Sequence, residues 1–255
     1  MRIVIKVGTS TLAHTTGRLN IRRTTELCRV ISDLKNAGQE IILVSSGAIG
    51  MGVGKLSLKE KPKDIPTKQA AAAVGQCELM YTYDRLFTEH NHTVAQILLT
   101  GSDFSAEDRH ENFNNTIRRL LELDVLPIIN ENDTIATEEI KVGDNDTLSA
   151  LVAVSLKADL LVLLSDVDGL YSADPHKEET ATLIEEVYGV DSKIAALAGG
   201  EGSALGTGGM KTKLRAAQLC NQSGCDMVIA NGKNPEILYT IVTGERGHYT
   251  RFFSK

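Results

Sequence analysis

The feature that most limits how this chain can fold is a series of short apolar runs separated by longer helical patterns. The runs carry Ile, Val and Leu at successive positions, so both faces of each predicted strand are expected to be buried. They are Ile3–Val7, Glu40–Val44, Thr93–Leu99, Val125–Ile129, Asp159–Leu164 and Asp226–Ala230. The helical patterns cover Arg22–Ala37, Thr67–Glu89, Ala106–Leu123, Thr147–Leu156 and Thr212–Gln222. This alternation predicts an α/β sandwich with a mostly parallel sheet covered on both sides.

Charge and hydrophobicity exclude several classes of protein. The net charge of −6 and the lack of a dense Lys/Arg stripe disfavour a nucleic-acid partner. The longest uncharged run, Ile41 to Gly54, is 14 residues, which is too short to span a membrane. The residues after Met1 and Arg2 do not form the apolar core of a signal peptide. We therefore expect a cytoplasmic protein without a membrane partner.

Cysteine and histidine give no metal-binding pattern. Cys28, Cys77, Cys220 and Cys225 lack CxxC spacing, so they are expected to be reduced, small apolar side chains. A possible HExxH motif beginning at His110 fails because its closing position is asparagine. The sequence thus predicts no metal ligands.

Polar, glycine-bearing segments follow four of the predicted strands. In an open α/β sheet, ligands bind beyond the carboxyl ends of the strands. Lys6–Ser10, Ser45–Gly50, Asn130–Asp133 and Ser165–Gly169 should therefore meet at one edge. This convergence is the strongest indication of a functional site.

Taken singly, the glycine segments after the first two strands could be plain strand-to-helix turns. Neither is a Walker A or GxGxxG sequence, which disfavours P-loop and Rossmann enzymes. A third cluster, Gly206–Lys213, runs into a helix and is typical of a phosphate site, although it could also be a surface loop. Lys211 and Lys213 should face different ways on that helix, and periodicity does not select between them.

Charged residues also lie at the end of one predicted strand and at the start of one predicted helix. Lys6 closes an otherwise buried strand, and a buried lysine requires a fixed anion unless it reaches outward to solvent. We favour the anion. Gly143–Asp146 precedes a helix and could serve simply as a turn and N-cap.

Taken together, these segments resemble the glutamate 5-kinases of the amino-acid kinase family over essentially the whole chain. The resemblance implies a three-layer αβα sandwich, unrelated to P-loop kinases, formed by a single domain over residues 1–255. The N-terminal part would mainly bind glutamate, and the part from about residue 150 would mainly bind ATP. Many members add a C-terminal PUA domain, which we do not expect here because the sequence ends at Lys255. The matching segments are Lys6–Ser10, Val44–Ile49, Ala73–Gln76, Gln96–Thr100, Asn130–Asp133, Gly143–Asp146 and Gly206–Met210.

The resemblance also implies roles for individual residues. Lys6 and Lys213 would contact the transferring phosphoryl group, and Asp146 would organise both lysines. Ser46, Asp133 and Asn145 match glutamate-binding positions, with Asn130 nearby. The positions that match ATP-binding segments are Lys6, Gly8, Ser165, Asp166, Thr207, Gly208, Gly209, Met210, Lys211, Thr212 and Lys213.

The implied reaction is ATP-dependent phosphorylation of the side-chain carboxylate of L-glutamate to L-glutamyl 5-phosphate, the first step of L-proline synthesis. It uses ATP with Mg²⁺. The resemblance further implies L-proline feedback inhibition, hand-over of the product to glutamyl phosphate reductase, and a homo-oligomer, either a dimer or a tetramer.

Residue chemistry agrees with this activity, and two alternatives remain. Donor and acceptor are both anionic, so catalysis needs positive charge and positioning. An aspartate or acetylglutamate kinase is disfavoured because the segment after Lys6 lacks their double glycine. A catalytically silent sensor is disfavoured because Lys6, Asp146 and Lys213 are all retained.

Overall fold

An eight-stranded sheet forms the centre of the protein. The computed structural model describes residues 1–14, 18–60, 62–136, 144–175, 177–178, 180–197 and 209–254. The strands within these residues are β1 (Arg2–Val7), β2 (Glu40–Ser45), β3 (Val94–Leu99), β4 (Leu126–Glu131), β5 (Leu160–Ser165), β6 (Leu170–Tyr171), β7 (Leu183–Ile184), β8 (Glu186–Tyr188), β9 (Asp226–Asn231) and β10 (Tyr249–Phe253).

Helices connect most of these strands. Those within the described residues are α1 (Thr9–Leu12), α2 (Ile21–Asn36), α3 (Ala48–Lys55), α4 (Ile65–Thr88), α5 (Gly101–Ser105), α6 (Glu107–Glu122), α7 (Asn145–Ser155), α8 (Ser192–Ala196), α9 (Met210–Asn221) and α10 (Ile237–Thr243). In this part of the chain, no helix is both long and apolar enough to cross a membrane.

The order of the strands explains where a ligand can bind. The sheet runs β3-β4-β2-β1-β5-β9-β10-β8, and neighbours from β3 to β9 are parallel. β10 runs antiparallel to β9, and β8 lies parallel to β10 at the edge. From β1, the chain builds the sheet outward first through β2 and later through β5. β1 therefore lies at the point where the order of winding reverses.

Alternation along the strands divides the core into two layers. Ile3 and Ile5 of β1 face a cluster formed with α2, α4 and α10, whereas Val4 faces a cluster formed with α6, α7 and α9. All three side chains are fully buried. Successive side chains on a strand point to opposite faces, so an aliphatic run buries apolar surface on both. The predicted α/β fold, a three-layer sandwich with a mostly parallel central sheet, is confirmed.

The six predicted strands and five predicted helices all form, with ends displaced by at most two residues. One local prediction is wrong. The pairing of Ser105 with Asp108 in the sequence predicts a capping box at the start of α6. Ser105 is instead the last residue of α5, and the capping box lies at Thr100 and Asp103.

Two glycines allow α3 and α4 to pack backbone against backbone. A methyl group at Gly75 would lie 1.8 Å from the carbonyl oxygen of Ala48, and one at Gly52 would lie 1.8 Å from that of Ala71. Such distances exclude any side chain unless the helices separate. This contact fixes α3, and with it the segment that joins α3 to β2, against α4.

We predict that Gly75→Ala destabilises the protein. Alanine has a higher helix propensity than glycine by about 1 kcal/mol. Overpacking costs roughly 1 to 3 kcal/mol, and here the added methyl would meet backbone that cannot rotate away. Urea unfolding should therefore give a net loss in the free energy of unfolding. The control is Cys77→Ala at an exposed position of the same helix, which should change it by less than about 0.5 kcal/mol. Equal effects would contradict the close packing.

Candidate active site

The ends of five parallel strands bring the predicted site residues to one edge of the sheet. β1, β2, β4, β5 and β9 run in the same direction, so their carboxyl ends coincide. The register places Val7 of β1 opposite Ser45 of β2 and Leu164 of β5. Lys6 lies one residue before this level, at the centre of the edge.

A buried ion cluster forms at this centre. Lys6 Nζ lies 2.7 Å from Asp146 Oδ1, and Lys213 Nζ donates a hydrogen bond of 3.0 Å to Asp146 Oδ2. Thr212 Oγ1 donates a second one, of 2.9 Å, to the same oxygen. Lys6 is 8% exposed, Asp146 1% and Lys213 4%. The buried lysine of β1 therefore meets a fixed anion, as the sequence predicts.

The charges in this cluster do not balance. Among the described residues, Asp146 is the only carboxylate that pairs with either lysine, so one positive charge is in excess. Burial acts to raise the pKa of Asp146, but attraction to Lys6 and Lys213 outweighs it and holds that pKa well below its usual range. The carboxylate is therefore ionised at neutral pH, and the excess charge can attract an anionic ligand.

The geometry separates the two lysines of the glycine-rich segment. Lys213 lies inside the cluster, whereas Lys211 is exposed on the first turn of α9. Their separation of two residues turns them about 200° apart around the helix. Lys213, and not Lys211, therefore faces the ion cluster, which helical periodicity alone does not determine.

A network of neutral side chains lies next to the ion cluster. Asn145 Nδ2 donates to Ser46 Oγ at 2.7 Å, to the Ser45 carbonyl at 3.0 Å and to Asn130 Oδ1 at 3.1 Å. Asn130 Nδ2 in turn donates to Gln76 Oε1 at 3.0 Å. Asn145 and Asp146 open α7, so the two groups meet on its first turn.

Asp144 is the N-cap of α7, which is the alternative role that the sequence allows for the segment Gly143–Asp146. Its side chain accepts a hydrogen bond from Thr147 N and begins α7. Burial raises the pKa of Asp144, and the neighbouring Asp146 charge adds to that effect. The segment thus supplies both a cap and two site residues.

The remaining predicted residues lie along the same edge. Asp133 is half-buried in the turn after β4. Ser165 ends β5 and donates a hydrogen bond to Asp166 Oδ1. Gly8 lies beside the Lys6 ammonium, since a Cβ there would be 3.5 Å from its nitrogen. Gly209 and Met210 open α9, while Thr207 and Gly208 lie outside the described residues.

Among the described residues, three helices begin at this edge without a side-chain cap, and the shortest of them, α1, follows Gly8. Gly47 precedes α3 and Gly209 precedes α9, and neither can offer an oxygen to the first-turn N–H groups. Gly47 also has φ of 103°, a conformation that favours glycine. Helices that begin with free N–H groups attract anions. By contrast, side-chain oxygens cap α2 and α4.

Gln76 is a buried polar residue near the site that the sequence patterns did not identify, although it lies in a matching segment. Its side chain is 7% exposed and contacts Asn130. The available signal was a polar residue on the face of a helix that otherwise buries Ala71, Leu79 and Phe87. Such a position requires a hydrogen-bond partner, but the sequence does not identify it.

Known proteins resemble this chain in sequence and in structure. The sequence model of the amino acid kinase family matches residues 1–231, and the chain belongs to that family.

Individual proteins of known name are also similar to this chain. The glutamate 5-kinase of Clostridium acetobutylicum is 55% identical over 96% of this chain and 91% of its own length. That of Caldanaerobacter subterraneus is 52% identical over 96% of this chain and 66% of its own length. The carbamate kinase of Giardia lamblia bound to AMP-PNP has a TM-score of 0.70 at 18% identity, covering 100% of this chain and 98% of its own, which supports the fold. The predicted resemblance is confirmed.

We predict that Asp146→Asn and Lys213→Met differ in their effect on stability. Removing the carboxylate leaves two buried ammoniums without a counter-charge, which should cost roughly 3 to 5 kcal/mol at pH 7. Removing Lys213 leaves a balanced pair and should cost clearly less. The measurement is urea unfolding without ligands, with the exposed Lys211→Met as a control. A larger loss for Lys213→Met than for Asp146→Asn would contradict the excess of positive charge.

Proposed function

We propose that this protein transfers the γ-phosphoryl group of ATP to the side-chain carboxylate of L-glutamate, giving L-glutamyl 5-phosphate for proline synthesis. The observation that carries the proposal is the buried Lys6–Asp146–Lys213 cluster with its excess positive charge. Relatives that share 52% to 55% of their residues with this chain are glutamate 5-kinases, which supports the choice of acceptor.

The cluster addresses the main obstacle to the reaction. A carboxylate oxygen must approach a γ-phosphoryl group that is itself negatively charged, and the P–O bond to ADP breaks as the new bond forms. Lys6 and Lys213 offset this repulsion at a fixed position, because Asp146 holds both ammoniums. ADP leaves with the bonding electron pair, and no proton has to be removed from the acceptor.

ATP would bind over the C-terminal half of the edge, from about residue 150. The uncapped start of α9, with Gly209 to Lys213, offers N–H groups and a lysine to phosphate oxygens. Ser165 and Asp166 at the end of β5 would contact the nucleotide.

Magnesium would arrive with ATP. Among the described residues, no three His, Cys, Asp or Glu side chains form a group that could hold a metal ion. Both oxygens of Asp146 already face lysines. An ion that came with ATP would be held by nucleotide phosphates and water, and it would supply positive charge against the phosphate oxygens.

Glutamate would bind over the N-terminal half of the edge. Asn145 and Ser46 are adjacent and fixed by hydrogen bonds, and Asp133 lies in the turn after β4. The substrate carries an ammonium, for which the Asp133 carboxylate is a suitable partner. The product is a reactive acyl phosphate, so the proposal includes its direct transfer to glutamyl phosphate reductase. It also includes the assembly of this chain into a homo-oligomer and the inhibition of the enzyme by proline.

The deciding experiment identifies the acceptor. The protein is incubated with ATP, Mg²⁺, hydroxylamine and, separately, L-glutamate, L-aspartate and N-acetyl-L-glutamate. Hydroxylamine converts an acyl phosphate into a stable hydroxamate, so the acceptor is the compound recovered in that form. Glutamyl hydroxamate is expected. Another hydroxamate would assign a different acceptor, and none with any acceptor would contradict the kinase proposal.

We predict that Asp133→Ala raises the KM for glutamate roughly 10- to 150-fold. A charge-assisted contact to the ammonium is worth about 1.5 to 3 kcal/mol, which corresponds to that factor. The KM for ATP should change little. Steady-state kinetics with each substrate varied in turn provides the measurement, and Asp133→Asn should give an intermediate value. If both KM values rise together, Asp133 has a structural role.

We predict that kcat at saturating substrates is nearly constant between about pH 6.5 and 8.5. The glutamate side chain has a pKa near 4.3 in solution and needs no general base. The lowered pKa of Asp146 keeps this carboxylate ionised throughout that range. Asp146→Asn should therefore remain inactive as the pH rises, because hydroxide does not restore the charge that holds two lysines. ADP formation gives both profiles. If the kcat of the variant recovered at high pH, Asp146 would be a general base.

A further inference from the structure

Gln76 lies behind the predicted glutamate site and fixes the direction of its amide groups. It extends from the middle of α4 towards the end of β4, where its Oε1 accepts a hydrogen bond from Asn130 Nδ2. Both side chains are buried, Gln76 at 7% exposure and Asn130 at 2%. Both ends of the Asn130 amide meet protein groups, so an effect of Gln76 on a ligand would pass through a neighbour.

Asn130 has one orientation that satisfies its surroundings. Its Oδ1 accepts from the Glu131 backbone N–H at 2.9 Å and from Asn145 Nδ2 at 3.1 Å. A backbone N–H can only donate, so the oxygen must face it. The opposite end of the amide, Nδ2, then requires an acceptor, which Gln76 Oε1 supplies. Without that acceptor, a buried N–H group is left unpaired.

The orientation passes from Asn130 to Asn145. Because Asn130 presents its oxygen, Asn145 must turn its Nδ2 towards it, and this nitrogen also donates to Ser46 Oγ and the Ser45 carbonyl. The two hydrogens of Nδ2 are shared among these three acceptors, so Asn145 Oδ1 points the other way. Among the described residues, no hydrogen-bond donor meets that oxygen. It is available to accept a hydrogen bond from a substrate ammonium.

We propose that Gln76 is a positioning residue that sets the affinity for the amino-acid substrate through Asn130 and Asn145. The inference rests on the proposed function. It assigns Asn130, a candidate for glutamate binding, the same indirect role, because both ends of its amide are occupied by protein groups. We expect ATP binding to be independent of this chain of hydrogen bonds, since Thr212 and Lys213 of α9 are bonded to Asp146 and not to Asn145, Asn130 or Gln76.

The test compares Gln76→Met with the wild type. Methionine has a similar length and volume but offers no comparable acceptor. The KM for glutamate should rise about tenfold, the factor expected for one disrupted buried hydrogen bond. The KM for ATP and kcat at saturating glutamate should stay within about twofold. Equal changes in all three, or none, would overturn the inference.

A matched control lies on the same buried face of α4, two turns away. Tyr83 OH is hydrogen-bonded to Ser45 Oγ at 2.8 Å, and Ser45 Oγ has a second acceptor in the Ser46 carbonyl. Tyr83→Phe therefore removes a buried hydrogen bond from the same helix without breaking the amide chain. It should lower thermal stability to a similar degree and leave the KM for glutamate within about twofold. If the KM for glutamate rose as much as in Gln76→Met, the effect would come from a general loosening of α4 and not from the amide chain.

A double-mutant cycle tests whether Gln76 acts through Asn130. If Gln76 acts through Asn130, Gln76→Met should raise the KM for glutamate by less than about twofold in an Asn130→Ala background. The full tenfold effect in both backgrounds would overturn the inference. If Gln76→Met does not fold, Gln76→Glu keeps an acceptor oxygen and should retain a KM within about threefold of the wild type. A tenfold rise in that variant would count against the proposal.

The two proposals fail in different ways. A wild-type protein that forms no glutamyl hydroxamate would overturn the proposed function. An active wild type whose Gln76 variants leave the KM for glutamate unchanged would overturn the role of Gln76 alone.

Discussion

The site is organised by one buried carboxylate held between two lysines. Asp146 lies in the first turn of α7, Lys6 is the last residue but one of β1 and Lys213 lies in the first turn of α9, so the contact joins three elements that are distant in sequence. Charges in a protein interior interact strongly because the surroundings screen them weakly. The cluster can form only if the strand and both helices are in register. Sheet topology and packing therefore determine the chemistry.

Glycine serves this arrangement in two different ways. Gly52 and Gly75 bring α3 and α4 into backbone contact, which fixes the start of α3 beside Ser46. Gly47 and Gly209 instead leave the first turns of α3 and α9 without a side-chain cap. A polar cap would stabilise each helix by about 1 kcal/mol but would occupy the N–H groups that a phosphate or carboxylate could use. Local stability is given up where an anion is expected to bind.

Sequence patterns predicted the main architecture because burial on both faces of a strand leaves a clear signal. They missed α3, whose sequence holds three glycines and has low helix propensity, since packing against α4 stabilises it. They also missed the short antiparallel strand β10, which depends on pairing with β9. Lys6, Asp146 and Lys213 were identified as a set through family resemblance. Their contact distances, the position of Lys211 outside the ion cluster and the contact of Gln76 with Asn130 required coordinates, because each depends on side chains meeting across the fold.

The first turn of α7 explains how one edge of a sheet can hold two anionic substrates in different environments. Asn145 and Asp146 are consecutive, so their side chains point about 100° apart around the helix. Asn145 faces the ends of β2 and β4 and joins a neutral network. Asp146 faces β1 and α9 and joins the ion cluster. Neutral groups orient a ligand without adding charge, whereas the lysines lower the repulsion between donor and acceptor. β1, where the winding of the sheet reverses, lies at the boundary between these environments, so the reacting atoms would meet there.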